Sequence, residues 1–349
     1  MSNSTHRRRT SRRAKLGGLA VAAAVAVGGG VAIAGSAMAD KASPGTTSTA
    51  ATTGGFSPYV DTSLASAGKL ADLAKTSGAE DLNLAFVTSG GDCSPEWGGT
   101  TDVGGGDLSA QISALRDAGG DVRVSFGGAN GQELALACDS AGALADAYGK
   151  VVDAYQLKKV DFDVEGGAVS DTAANTRRAQ AVAELQKAHP GLDVSFTLAT
   201  MPTGLTQDGE NLLKDAKAQG VEVGAVNLMA MDYGSSFDGD MGEYAEQAAT
   251  AAHGQIQSDL GLSSDAAWSH LAVTPMIGVN DVQAERFTVA DAKELAGFAA
   301  SRNLAWLSMW SANRDRPCPG GAGTSAQPTC SSVEQGEGDF GKALAGGAS

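Results

Sequence analysis

LKKVDFDVEGG, residues 157–167, decides how this chain is read. Val160, Phe162 and Val164 alternate with Asp161, Asp163 and Glu165. Alternation with a period of two belongs to a β-strand, whose successive side chains point to opposite faces. One face is then apolar. The other carries three carboxylates, about 6–7 Å apart at each step. Such a column repels itself and is costly to desolvate, so a chain that builds one has a use for it. Two plain readings stand beside the functional one. The column can be a solvated strand face. It can also bind calcium or magnesium loosely, although an apolar strand is a stiffer host than an Asp/Asn/Gly loop.

Working outward, similar short apolar runs recur on both sides. FSPYVD (56–61), LNLAFVT (82–88) and DVRVSFGG (121–128) precede KKVDFDVE (158–165). DVSFTLAT (193–200), AVNLMAMDYG (225–234), HLAVTPMIG (270–278) and LAWLSMW (304–310) follow it. Each gap is long enough for a crossover helix. Leu108, Ile112 and Leu115 lie at helical spacing before a Gly119-Gly120 stop. Leu64 opens a second such stretch, with Leu70 and Leu73, that ends at Gly78. Residues 171–188 are rich in Ala, Arg, Gln and Glu, and Thr288 with Asp291 resembles a capping box. Eight β/α units predict an α/β fold, a (β/α)8 TIM barrel with one catalytic domain over 56–349. An open doubly wound sheet is the alternative. It usually carries a glycine-rich phosphate loop after its first strand, and none stands there.

The first 39 residues predict an export signal. Six basic residues between Arg7 and Lys15 precede an Ala/Val/Gly-rich run, and Ala37-Met38-Ala39 has the small-x-small form of a cleavage site. A retained membrane anchor is the other reading, but the run is weakly apolar. Residues 40–55 read as a flexible Thr/Ser/Gly linker. Removing the signal takes away six basic residues and no acidic ones, so the net charge of −15 becomes −21. That charge argues against nucleic acid or an anionic membrane as partner. The four cysteines of an exported chain suggest disulfides. Of three possible connectivities we favour Cys93–Cys138 and Cys318–Cys330, each stapling one neighbourhood of loops. Zinc is disfavoured: there is no Cys-x-x-Cys, and the histidines lack ligand spacing.

Barrel enzymes build their sites at the C-terminal ends of the strands. Those ends carry Ser125-Phe126-Gly127-Gly128, then Asp161, Asp163 and Glu165, then Met229, Asp232 and Tyr233, and finally Trp310. Carboxylates with a tyrosine and a tryptophan suit a sugar polymer: aromatic faces stack on pyranose rings, and carboxylates break glycosidic bonds. Glu165 lies nearest the mouth as the candidate proton donor, with neighbouring negative charge disfavouring its ionisation. Asp163 is expected to share a proton with Asp161 or to reach outward to substrate. A second carboxylate on the acid's own strand is awkwardly placed to attack the opposite face of a sugar, so the nucleophile has to come from the substrate.

VDFDVE after SFGG resembles the Asp-x-x-Asp-x-Asp-x-Glu motif of family 18 glycoside hydrolases, the chitinases, and is most similar to the bacterial and archaeal branch with DFD(V/I)EGG and MxMDYG. The likeness runs from 56 to about 318. It implies that Glu165 is the general acid and later the base. It also implies that Asp163 orients the substrate's 2-acetamido group and stabilises an oxazolinium, while Asp161 holds Asp163. Trp310 matches the floor under the −1 sugar, and Asp232 a carboxylate that helps position that sugar. Lys158 and Lys159 stand where the motif has Asp and Gly. The sixth strand lacks the usual Met-x-Tyr-Asp, and strand alternation predicts that Tyr233, on one face with Met229, supplies the missing hydroxyl.

Tyr59, Phe86 and Trp97 are candidate further sugar subsites, each weighed against plain packing, and Asn280 with Asp281 is a candidate substrate contact. Ser125, Gly127 and Gly128 read as structural. A serine-hydrolase reading lacks a nucleophile elbow and a placed histidine. The expected protein is an exported, monomeric chitinase acting with retention on chitin or N-acetylglucosamine oligosaccharides, with no metal or organic cofactor. An endo-β-N-acetylglucosaminidase and a non-catalytic chitin-binding lectin on the same fold are the alternatives.

Overall fold

Parallel strands joined by helices need hydrogen-bond partners on both edges, and this chain supplies them by returning its last strand to its first. The computed structural model describes residues 55–64 and 69–346. The expected signal segment and linker lie outside these residues except for Gly55, which already belongs to a strand.

In chain order, β1 (Gly55–Phe56) and β2 (Tyr59–Asp61) lead through α1 (Leu70–Ser77) to β3 (Leu82–Ser89). A hairpin, β4 (Pro95–Trp97) and β5 (Thr101–Asp102), grows from the end of β3 before α2 (Leu108–Asp117) and β6 (Val122–Gly127). α3 (Leu134–Ala137) and α4 (Ala141–Tyr155) precede β7 (Lys159–Val164), the strand of the carboxylate column. Then come α5 (Gly166–Ser170), α6 (Thr172–Ala188), β8 (Asp193–Met201), β9 (Gly204–Leu205), α7 (Gln207–Ala218) and β10 (Ala225–Ala230). The last third holds α8 (Met241–Leu260), α9 (Ser264–Ser269), β11 (Leu271–Pro275), a small hairpin of β12 (Gly278–Val279) and β13 (Arg286–Phe287), α10 (Val289–Arg302), β14 (Trp306–Leu307) and α11 (Asp339–Ala345).

Parallel pairing runs β2–β3–β6–β7–β8–β10–β11–β14–β1. β1 and β2 are one run interrupted at Ser57-Pro58, where Ser57 N–H donates to Leu307 and Asn83 N–H donates to the Pro58 carbonyl. The ladder therefore closes on itself as the expected eight-stranded TIM barrel. Both cysteine pairings match the expectation, Cys93–Cys138 and Cys318–Cys330. The capping box at Thr288 and Asp291 is complete, and Gly78 ends α1 in the left-handed conformation. Several runs are shorter than expected, β11 among them at Leu271–Pro275. α1 starts at Leu70 rather than near Leu64, β10 stops at Ala230, and β14 keeps only Trp306–Leu307.

Outside the barrel, Phe126, Phe162 and Phe196 lie in register on three adjacent strands, with centroids 5.3 and 5.7 Å apart. Tyr148 of α4 meets Phe162 edge-on at 4.9 Å. Burying that row explains why Val160, Phe162 and Val164 face the helices. Inside, the barrel departs from the usual layers of branched aliphatic residues. Ser125, Asp161, Ser195, Thr197, Asn227 and Thr274 are all buried there. From Val160 to Val164 both faces of β7 are thus buried, and Asp161 and Asp163 do not lie on a solvated strand face.

Candidate active site

The register of β6 against β7 places the acidic side chains. Ser125 pairs with Asp161 and Gly127 with Asp163. Gly127 has φ of 98°, and a Cβ there would collide with the Asp163 carbonyl oxygen. Gly128 N–H donates to that same oxygen at 3.0 Å. The two glycines therefore let the backbones approach at the level of the carboxyl groups, the structural role expected of them. Glu165 follows the last residue of β7 in extended backbone and precedes α5, half-buried at the barrel mouth.

Asp161 lies deepest and is completely buried. Its carboxylate accepts from Tyr59 (2.9 Å), Ser125 (2.6 Å), Ser195 (2.6 Å) and Thr197 (2.9 Å). A carboxylate only accepts, so four hydroxyl donors offset much of its burial. Asn227 donates to Tyr59 Oη and Thr197 Oγ1, and Thr274 donates to Asn227 Oδ1, which extends the chain across the barrel. Donors facing Asp161 also leave its oxygens unavailable to a cation.

The Asp161 oxygens are occupied by hydroxyl donors, and the neighbour acting most on the Asp163 carboxyl is Glu165. Burial raises the Asp163 pKa strongly, and the negative charges of Glu165 and Asp161 add to it. The Glu165 pKa is also raised, first by burial; the hydrogen bond from Asp163 opposes this, and the charge of Asp232 reinforces it. The sequence-based expectation that column neighbours hold Glu165 protonated needs correcting. Desolvation is the larger cause, and the nearest carboxyl pulls the other way. The two carboxyls titrate as one coupled pair, with both held above the ordinary carboxylate range chiefly by burial. The second oxygen of Asp163, Oδ1, is buried without a hydrogen-bond partner among the described residues.

The rim is aromatic. Trp310 is half-buried, with Phe86 nearly parallel at 5.6 Å and Tyr59 at 6.0 Å. Met229 is half-buried on β10, one inward step nearer the mouth than Asn227. Other expected contacts are not where the sequence placed them. Tyr59 is 2% exposed with its hydroxyl on Asp161, so it is a support beneath the floor rather than an open sugar platform. Trp97 is 6% exposed and donates to Tyr155 Oη at 2.8 Å, packing the hairpin onto α4. Asn280 is wholly buried and donates to the Met276 and Gly278 carbonyls, clamping its own loop.

Strand alternation also fails at the end of β10. Asp232 has φ of 53°, in the left-handed region, so the period of two does not reach Tyr233. Asp232 Oδ1 accepts from Val282 N–H at 2.8 Å, and burial raises its pKa. Tyr233 instead packs with Phe237 and Tyr244, and its buried hydroxyl has no hydrogen-bond partner among the described residues. The structure brings together Asp161, Asp163, Glu165 and Asp232, links them through Tyr59 to Phe86 and Trp310, and leaves Trp97 and Asn280 outside. Sequence reasoning missed Ser195, Thr197, Asn227 and Thr274. Polar residues at every second place of DVSFTLAT, and one inside AVNLMAM, were the available signal.

No protein-family model matches the chain. It is 40% identical over 288 residues to the "Probable bifunctional chitinase/lysozyme" of Escherichia coli, an alignment covering 78% of this chain and 32% of that protein. It is 39% identical over 275 residues to "Endochitinase 11" of Metarhizium anisopliae, covering 75% of this chain and 52% of that one. The chain thus spans about a third and about half of the lengths of these curated relatives. The catalytic domain of a hyperthermophilic chitinase from Pyrococcus furiosus superposes with a TM-score of 0.77 at 30% identity, over 84% of this chain and 94% of that domain. Catalytic-site mutants of the same organism's chitinase, complexed with chito-oligosaccharides, superpose with a TM-score of 0.76.

Proposed function

We propose, from the premise that this chain belongs to glycoside hydrolase family 18, the chitinases, that it cleaves β-1,4 bonds between N-acetylglucosamine units with retention at the anomeric carbon. The observation that carries the reading is the column of Asp161, Asp163 and Glu165 rising to the mouth of β7 beside an aromatic floor. The −1 sugar rests on Trp310. Its acetamido group meets Asp163, whose Oδ1 has no hydrogen-bond partner among the described residues. A proton passed from Asp163 to Glu165 turns Glu165 into the acid and leaves Asp163 an anion against the amide N–H.

Glu165 then protonates the glycosidic oxygen as the C1–O bond breaks, and the acetamido oxygen closes on C1. The resulting oxazolinium is balanced by Asp163. Asp161, held by its four hydroxyls, fixes the base of the column on which Asp163 stands. Glu165, now a carboxylate, takes a proton from water as that water opens the oxazolinium at C1. Two displacements give net retention, and the nucleophile comes from the substrate. Asp232, beside Glu165, takes part in seating the −1 sugar. The basic start and the Ala37-Met38-Ala39 site support export, and the net acidity suits a neutral polymer.

Glu165→Gln tests the assignment. Hydrolysis of a chitin oligomer should fall by about 10²–10⁴-fold, while binding of the oligomer, followed by tryptophan fluorescence, persists. Activity within a few-fold of the parent would remove Glu165 from the role.

A further inference from the structure

The segment from the end of β11 through β12 carries a feature the reaction above does not use. Four successive carbonyls, Met276 to Val279, are each held by a buried side chain. Asn280 donates to those of 276 and 278, and Arg314 to those of 277 (2.8 Å) and 279 (2.7 Å). Arg314 is 2% exposed and also donates to Gln327 O at 2.7 Å, inside the loop closed by Cys318–Cys330. Burying a guanidinium on carbonyl partners alone costs desolvation that neutral acceptors repay only in part. Two carboxylates face it, Asp232 and Asp281.

The clamped loop reaches back to the site at two points. Val282 N–H donates to Asp232 Oδ1, and the fully buried Glu285 accepts from Gly234 N–H at 2.7 Å. Between them these bonds span the residue in the left-handed conformation, Asp232, which an unsupported chain would adopt at a cost.

We propose that Arg314 is a positioning residue for hydrolysis: by fixing the backbone from Ile277 to Val279 it aims Val282 N–H at Asp232 and so sets where the Asp232 carboxyl stands beside Glu165. The inference rests on the reaction proposed above, and its test separates the two. Arg314→Lys keeps the charge but loses the planar guanidinium in which Nη2 serves both 277 and 279 while Nη1 holds Gln327 O. Val282→Pro removes only the N–H on Asp232, in a loop residue that is half-buried, and serves if the lysine variant does not fold. Each should lower kcat/KM on a chitin oligomer by about 10–100-fold with kcat bearing most of the loss.

In an Asp232→Asn background neither should lower it by more than about twofold further, because the group they act through has gone. Losses that multiply in that background, or a Val282→Pro enzyme as active as the parent, would overturn the proposal. A chain that proves inactive on N-acetylglucosamine oligomers defeats the reaction instead. Arg314 is then read by amide exchange: lost protection at Val282 in Arg314→Lys supports the link, and unchanged protection refutes it.

Discussion

Glu165 and Asp163 show how position separates two carboxyl groups one strand step apart. Asp163 is buried between two acidic neighbours, which with desolvation push its pKa up strongly; Glu165 is nearer water, and its raised pKa comes from desolvation and from Asp232. In the proposed reaction the alkaline limb of kcat/KM reports loss of the catalytic proton. It should therefore lie above the ordinary glutamate value of about 4.3. The sign of the Asp232 effect is checkable. A nearby negative charge disfavours ionisation of Glu165, so removing it in Asp232→Asn should move the alkaline limb to lower pH in a pH–rate profile. A limb that stays or moves upward would show that Asp232 does not act on Glu165 electrostatically.

At the level of elements, β7 does its work because β6 lets it approach. Gly127→Ala asks for φ near 98° from a residue with a Cβ and drives that Cβ into the Asp163 carbonyl. Expected destabilisation is about 2–4 kcal/mol, with activity falling as well, measured by urea denaturation and initial rates. This strand pair also marks what was legible in the sequence. A period of two, β-branched residues and crossover-length gaps carried the barrel, the acidic column and its depth order, and small local loops carried the cysteine pairing.

Legibility ended where the period ended. Asp232 turns the chain out of β10, so alternation misplaced Tyr233. Tyr59, Trp97 and Asn280 looked like rim residues because each lies near a strand end, yet distant partners, Asp161, Tyr155 and the 276–278 backbone, decide where they point. Arg314, sited in a stretch with no strand signal, offered nothing to read until its three carbonyls were in place.

Across the whole molecule, buried acids set the response to pH. Burial raises the pKa values of Asp163, Asp232, Glu285, Asp291 and Asp315 above those of an unfolded chain. The folded state then holds protons that the unfolded state has released, so stability falls as pH rises through the window from about 4 to the raised values. A net charge of −15 adds self-repulsion in the same direction. The melting temperature should thus be higher near pH 5 than near pH 8. A flat or rising profile over that range would mean that these acids are compensated on folding.

In the proposed reaction the substrate's own amide attacks C1, since the acid and its partner share one strand. Proton NMR of the newly formed reducing end, recorded in the first minutes of N-acetylglucosamine oligomer hydrolysis, tests it most directly. The account predicts the β-anomer first, decaying to the equilibrium mixture by mutarotation. Initial accumulation of the α-anomer would contradict it.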